Sequence, residues 1–473
     1  IANYIRDQQQ PDGTWAICHG GPPDLNATVE SYFALKLAGV SPDEPAMRKA
    51  REWALSAGGV PKARVFTKIW LALFGQWDWR GVPVLPPEMM FLPHWFPLNI
   101  YDFASWARAT IVPMLIIISE RPVCPVPDSA RIDELYPNDR DGTDYAPPKP
   151  AGASWRRFFL EADGVLRKYE RLASPRGSAF RLTGGAAGRL RQRAYRAAEE
   201  WIVAHQEADG SWGGIQPPWV YSLIALHLRG YSLDHSVMQR GLEGFDGVWA
   251  VEDECTFNPQ ACLSPVWDTA LAMIALLDSG LAPDHPALQT AARWLIREQV
   301  LTGGDWQVRA PEVEPGGWSF EFENDIYPDA DDTAEVLIAL ARTRMTDPTQ
   351  DRRKLAAIER GRRWLIGMQS ANGGWGAFDK DNTRRLANEI PFCDFGEVID
   401  PPSEDVTAHV IEALALLGDR DSEVVRRGLR YLRREQCADG SWFGRWGVNY
   451  VYGAGGVLPA FRAAGRDMSK PRF

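Results

Sequence analysis

Gln369-Ser370-Ala371-Asn372-Gly373-Gly374-Trp375 carries the spacing that decides the fold: glutamine, three residues, glycine, one residue, tryptophan. The spacing returns as Gln9-Gly13-Trp15, Gln206-Gly210-Trp212 and Gln436-Gly440-Trp442, with a looser copy at Gln299-Gly304-Trp306 that has one extra residue. Each copy follows a helical stretch, such as 361–368 or 428–435, and another helix usually comes after it. The unit is a helix–turn–helix repeated along the chain, as in helical arrays and closed toroids. Glycine permits the tight turn. The glutamine amide bonds the open end of a neighbouring helix and the indole stacks against it. The motif is a structural clasp, not a catalytic device. Two copies precede residue 262 and three follow it, strand-like alternation is sparse, and no GxGxxG occurs. The expected fold is all-α: two α/α barrels, or toroids, of helix-pair repeats, over residues 1–262 and 263–473.

Composition narrows the function. At 473 residues the chain is long enough for two or more domains. A formal charge of −10, with no long basic run, argues against a nucleic-acid footprint. The six cysteines form no CxxC pair and read as reduced thiols of a cytosol-facing protein; the seven histidines form no HExxH. The longest apolar run, 110–118, is interrupted by Pro113 and is shorter than the roughly 20 residues that span a bilayer. Residues 139–153 read as an exposed loop or linker. After it, Trp155-Arg156-Arg157-Phe158-Phe159-Leu160 suits an interfacial membrane segment as well as a core-packed helix with a solvated basic edge. Both ends look cut, so a fragment of a longer protein is expected.

The chemistry centres on Asp329-Ala330-Asp331-Asp332, between Tyr327-Pro328 and an apolar helical stretch. Asp329 or Asp331 can cap the helix that begins near Thr333, and Asp332 and Glu335 suit its positive end. Three carboxylates in four residues also raise one another's pKa once buried, which leaves one of them able to keep a proton near neutral pH. A cap can hold such an acid in place, so the readings are compatible. The chain also has 20 Trp, 19 Phe and 13 Tyr. An acid among aromatic rings points to carbocation chemistry on a hydrocarbon.

Beyond the clasps, the chain contains Gly317-Trp318-Ser319-Phe320-Glu321-Phe322 leading to Tyr327-Pro328-Asp329-Ala330-Asp331-Asp332-Thr333-Ala334, and Pro391-Phe392-Cys393-Asp394-Phe395-Gly396-Glu397. It also contains Gly214-Ile215-Gln216-Pro217-Pro218-Trp219, Ser264-Pro265-Val266-Trp267-Asp268-Thr269 and Ser403-Glu404-Asp405-Val406-Thr407-Ala408-His409. With Gly444-Arg445-Trp446-Gly447-Val448-Asn449-Tyr450 these segments resemble squalene–hopene cyclases over essentially the whole chain. The resemblance implies two α/α barrels around a large apolar cavity. It also implies a homodimer seated monotopically on the cytoplasmic face of the bacterial cell membrane, squalene as substrate, and no cofactor or metal. The implied products are hopene or hopanol. DxDD resembles the squalene-using branch, since the oxidosqualene branch usually carries a DCTA-type motif. Relative to the family, an N-terminal segment and the last part of the catalytic barrel are missing.

By this resemblance Asp331 is the proton donor, and Asp329 and Asp332 oppose its ionisation. His409 donates a hydrogen bond to Asp331; Asp405, four residues earlier, orients the imidazole or supports its charge. Tyr452 lies near the acid. Trp106, Trp267, Phe320, Phe392, Phe395 and Trp446 are the matched cation-stabilising rings, each able to supply about 0.5–2 kcal/mol without offering a basic atom. Gln216 matches the region that positions water at the last cation. Phe378 departs from the family, which usually has tyrosine after Gly-Gly-Trp-Gly-Ala, so the ring stays and the hydroxyl is lost. Three other readings stand beside this one: a DxDD cyclase of another polyprenoid, an inactive helical-repeat lipid-binding scaffold, and metal-dependent ionisation of a prenyl diphosphate by Asp331-Asp332-Thr333-Ala334-Glu335. The last lacks a second metal motif and a basic cluster for the diphosphate.

Overall fold

The last carbonyls of a helix have no partner inside it, and the clasp tryptophans supply one. Trp15 Nε1 donates to Ile5 O at 2.7 Å, Trp212 to Ile202 O at 2.6 Å, Trp375 to Leu365 O at 2.7 Å and Trp442 to Leu432 O at 2.7 Å, each in the helix before its loop. The glutamine amide works in the other direction. Gln369 Nε2 donates to Gly373 O at 2.8 Å inside the loop and to Val424 O at 2.9 Å, in the first turn of the helix Glu423–Arg434. Gln9 and Gln206 reach Ala46 O and Val237 O in the same way. The carbonyls reached are therefore at helix starts, not at the open ends the sequence pattern predicts. Gly373 turns the loop at φ +96°, where a side chain would be strained.

The computed structural model describes residues 1–146, 154–173, 185–247, 249–394 and 396–470. Phe395 and residues 147–153 of the expected linker lie outside the described residues. One clasp is corrected. Gln299 donates to Gly316 O at 2.8 Å and Ala357 O at 2.9 Å, and the indole that caps Leu295 O, at 2.6 Å, is Trp318. The clasp at Gln299 is thus Gln299-Gly316-Trp318, with an inserted loop. Trp306, inside that loop, packs edge-on against Trp364 at 5.8 Å.

The mostly α-helical chain forms two units. In the second, the helices Pro265–Asp278, Ala330–Arg342, Glu404–Leu414 and Asn449–Ala463 pack side by side as an inner layer. Pro286–Arg297, Pro348–Met368 and Glu423–Arg434 pack outside them. Sequence explains the sorting. Every residue from Ala330 to Leu340 is buried, whereas Glu423–Arg434 buries Val425, Leu429, Tyr431 and Leu432 and turns its arginines to solvent. In the first unit, Ser105–Glu120 packs along Gln216–Leu228. That helix runs unbroken through Pro113, and no helix among the described residues is long and apolar enough to cross a membrane. One antiparallel ribbon pairs Ala250–Glu252 with Phe257–Pro259.

Buried apolar residues form two cores, and Ala387, Phe392, Cys393, Val398 and Ile399 belong to the first although they come late in the chain. Ala104 N donates to Val398 O at 2.9 Å, and Val65 N to Asp394 Oδ2 at 2.9 Å. This crossing brings Ser105–Glu120 against the acid-bearing unit.

Trp375→Phe leaves the buried Leu365 carbonyl without a donor, a loss of about 1–3 kcal/mol beyond the packing change. Trp306 Nε1 is buried without a partner among the described residues, so Trp306→Phe loses packing alone. Urea unfolding is expected to separate the two variants by that amount, and equal losses reject the clasp hydrogen bond as the cause.

Candidate active site

Asp329 caps the acid helix, Ala330–Arg342: its Oδ1 accepts from Asp332 N at 2.7 Å. Asp329 N donates to Trp318 O at 2.9 Å, and Thr333 Oγ1 receives Trp318 N at 2.9 Å, so the clasp fixes the helix start. The cap thus fixes the position of the acid motif, and of the two candidate caps it is Asp329. Asp331 then points to the histidine helix, Glu404–Leu414, where His409 Nδ1 lies 2.6 Å from its Oδ1. Glu335, four residues after Asp331 and on the same face, places Oε1 3.6 Å from that nitrogen. Burial alone would lower the His409 pKa, but the charge and hydrogen bond of Asp331, with Glu335 and Asp405, push it up to about 10. The imidazole is therefore a resident cation near neutral pH.

The other carboxyls of the motif are held differently. Burial, aided by the charge of Asp331, pushes Asp329 up to about 7. Burial and the charge of Asp329 raise Asp332 well above the usual carboxylate range. Behind them Glu321 is raised by burial and by Asp329, and accepts from Asn324 Nδ2 at 3.2 Å. Asp329 Oδ2 and Asp332 Oδ1 are buried without a donor among the described residues. Protons on these carboxyls satisfy such atoms at least cost. Asp331 and Glu335 both face one imidazole, so the Asp-Asp-x-x-Glu spacing does not build an open metal site. No group of three metal-ligating side chains occurs among the described residues.

Asp405 does not orient His409 by a direct bond. Its oxygens are taken by Ser403 Oγ at 2.6 Å, Val406 N at 3.0 Å and Trp446 N at 2.8 Å, so it acts on the imidazole by charge and anchors Trp446 instead. The reason is local: at the helix start its carboxylate meets unpaired backbone N–H groups first. Trp267 and Tyr452 flank the imidazole with ring centroids at 6.3 and 6.0 Å. Gly456 lets the last helix approach, since a Cβ there would come 2.9 Å from His409 Nε2.

Three predicted rings meet one another. Trp106–Phe378, Trp106–Trp446 and Phe378–Trp446 stand edge-on with centroids 5.9, 5.4 and 5.9 Å apart. Ala330 N donates to Ala377 O at 2.6 Å, which joins this trio to the acid helix. Asp400 receives the amides of Phe378 and Asp379 at 2.7 and 2.9 Å. Phe392 sits elsewhere, fully buried in the first core with Phe66 at 5.2 Å. Phe320 is half-buried between Trp318 and Glu321, and Gln216 is half-buried at the start of Gln216–Leu228, its N–H on Ala261 O at 2.9 Å. None of these residues lines the cleft of about 1460 Å³ on the first unit, which is bordered by Trp77, Tyr145 and several Arg and Asp side chains.

Sequence reasoning missed Arg108. Fully buried, its Nε lies 2.8 Å from Asp305 Oδ2 and its Nη2 3.2 Å from Asp379 Oδ1. Burial would raise Asp305, but Arg108, with hydrogen bonds from His205 and Tyr327, holds it down at about 2. Tyr327 is two residues before the cap and Asp379 follows Phe378, so one guanidinium ties the helix carrying Trp106 to both the acid and the trio.

Known proteins resemble this chain over nearly its whole length. A family model described as the squalene-hopene cyclase N-terminal domain matches residues 1–254, and one described as the C-terminal domain matches residues 263–473. A squalene–hopene cyclase of Alicyclobacillus acidocaldarius is 48% identical over 471 residues, 98% of this chain and 70% of that protein. A squalene-hopene cyclase of Schizosaccharomyces japonicus is 39% identical over 98% of this chain and 69% of its own. A dammaradiene synthase of Dryopteris crassirhizoma is 40% identical over 97% and 66%. The chain thus spans 66–70% of the length of these relatives.

The protons held at this site set a pH dependence. Asp329 and Glu335, both raised to about 7, stay protonated in the fold where the unfolded chain ionises from 3.8 and 4.5. The fold binds more protons across that window, so stability falls as pH rises through it. His409 acts in the same sense: its contribution is whole below 6.5 and lost as pH rises through about 10. Unfolding free energy is expected to increase from about pH 8 to about pH 5. Asp329→Asn, which can still cap, should flatten the lower part and His409→Gln the upper. A stability that increases steadily toward alkaline pH contradicts this.

Proposed function

Because the chain belongs to the squalene–hopene cyclase family, we propose that Asp331 starts its reaction by protonating a terminal alkene of squalene. The reaction is the cyclisation of a squalene-type polyene to a polycyclic product, with hopene and hopanol as the proposed outcomes. The observation that carries the reading is the 2.6 Å contact between His409 and Asp331, beside carboxyls that burial pushes toward their neutral forms.

Protonating an alkene creates a carbocation with no lone pair to share its charge, so the acid must be strong at the moment of transfer. His409 occupies Oδ1, which leaves Oδ2 to carry the transferable proton. As that proton leaves, the imidazolium stabilises the carboxylate, an interaction stronger in the transition state than before it. Asp329 and Asp332, pushed toward their neutral forms, add little repulsion to the new charge. The Trp106–Phe378–Trp446 trio, with Trp267 and Phe320, offers ring faces to the advancing cation and no nucleophile to trap it. Gln216 is the proposed water-positioning residue at the far end. The fold divides functionally near residue 262, with the acid in 263–473. Exposed Trp155 and Phe158, 59% and 55% accessible beside Arg156 and Arg157, support peripheral docking on a bilayer that holds the hydrocarbon.

The test is product analysis after incubating detergent-solubilised protein with squalene. Polycyclic triterpenes are expected from the wild type, with and without EDTA, and a loss of at least about 10³-fold in Asp331→Asn. Activity that persists in Asp331→Asn refutes the role of Asp331, and loss with EDTA refutes direct protonation. Phe378 stands edge-on to two partners without a hydroxyl. Phe378→Tyr is therefore expected to change the ratio of products at similar total turnover, and an unchanged ratio removes this position from product control.

A further inference from the structure

We propose that Glu335 and Glu412 return protons from solvent to Asp331 through His409, along the contact between the acid helix and the histidine helix. The inference rests on the proposed reaction and extends it. Cyclisation takes a proton from Asp331 at one place and releases one from the final cation at another. Asp331 is left as a carboxylate, and a buried acid must be recharged before the next turnover.

Helical spacing lines up the groups this requires. Asp331, Glu335 and Arg342 fall on one face of Ala330–Arg342, and His409 and Glu412 on one face of Glu404–Leu414. The two helices pack against each other. His409 Nδ1 lies 2.6 Å from Asp331 Oδ1 and 3.6 Å from Glu335 Oε1, so one nitrogen serves both carboxyls. Glu335 feels His409, Asp331 and Glu412; Glu412 in turn feels His409, Arg342 and Asp278. Arg342 bonds Asp278, whose side chain is 65% exposed, so the line ends in water. From the remaining sides His409 is faced by Asp405, Trp267 and Tyr452. Glu335 itself is 7% exposed and is used nowhere in the initiation step.

The return balances with one solvent proton. The Asp331 carboxylate takes the Nδ1 proton of the imidazolium on Oδ1, leaving neutral His409, and rotation of the carboxyl group then carries the protonated oxygen into the Oδ2 place. Nδ1 then takes the proton of the Glu335 carboxylic acid. Water, by way of Glu412, reprotonates the Glu335 carboxylate. Glu335 never touches substrate; it is a positioning and relay residue.

Glu335→Gln keeps the shape and removes the exchangeable proton. With enzyme in excess over squalene, one turnover is expected to run at the wild-type rate. With squalene in excess, kcat is expected to fall about tenfold or more and KM to fall with it, leaving kcat/KM and product ratio unchanged, with Glu335→Asp restoring part of the loss. Glu412→Gln is expected to show the same split more weakly. If single and multiple turnovers fall together, or neither falls, the proposal is overturned. A second readout needs no activity: the side-chain NMR titration of His409, whose midpoint is expected to drop by about one pH unit in Glu335→Gln. An unmoved midpoint overturns the Glu335–His409 link. Wild-type protein that makes no polycyclic product while the midpoint still moves overturns the proposed reaction and the return path built on it, and leaves the link alone standing.

Discussion

Negative charge is expensive to bury, and the acid-bearing unit is arranged around where that cost is met by a cation and where it is met by a proton. Arg108 meets it at Asp305 and Asp379. His409 meets it at Asp331. The ion pairs of the described residues include none to Asp329, Asp332 or Glu321, and these carboxyls are pushed toward their neutral forms. The result is a gradient within a few residues. Charge is tolerated where an imidazolium faces it and suppressed on either side.

This electrostatic pattern is only as good as the placement of its helices. The clasps hold helix pairs by a tryptophan N–H on one helix end and, at Gln9, Gln206 and Gln369, by a glutamine amide on the start of another. Thr333, in the first turn of the acid helix, bonds the clasp residue Trp318 directly. Arg108 adds the connection the repeat cannot supply, since it joins a helix of the first unit to loops of the second. Removing it would strand two buried carboxylates, typically a loss of about 3–5 kcal/mol.

The repeat and the acid motif were legible because both are local. Four clasps close on the residues that their spacing names. The fifth, at Gln299, was misread because an inserted loop holds a second Gly-x-Trp, and the real partner Trp318 lies further along the chain. Asp331 and His409 were legible as motif residues, but not Phe392, whose place in the first core follows from a chain crossing that has no sequence period. Arg108 left no signal at all: its partners Asp305 and Asp379 are 197 and 271 residues away. Glu335 had one, its four-residue spacing from Asp331, yet next to a helix start that spacing reads first as favourable charge at the helix dipole. Burial and a facing histidine, visible only in three dimensions, change its meaning.

A buried acid that spends a proton in each cycle faces two opposed demands. Water must stay away from the cation, and protons from water must still reach the acid. A single helix can satisfy both because its faces look in different directions. Asp331, Glu335 and Arg342 form one polar line on the acid helix, while Val336, Leu337 and Leu340 are buried on its other sides. The line ends at an exposed ion pair. The Trp106–Phe378–Trp446 trio approaches from the loops at the helix start, through Ala377 and Phe378. The ring trio at the N-terminal end and the exposed ion pair at the C-terminal end are separated by the length of the helix, 13 residues or about 20 Å. On the proposed reaction and return path, that separation lets one element keep a hydrocarbon dry and an acid supplied.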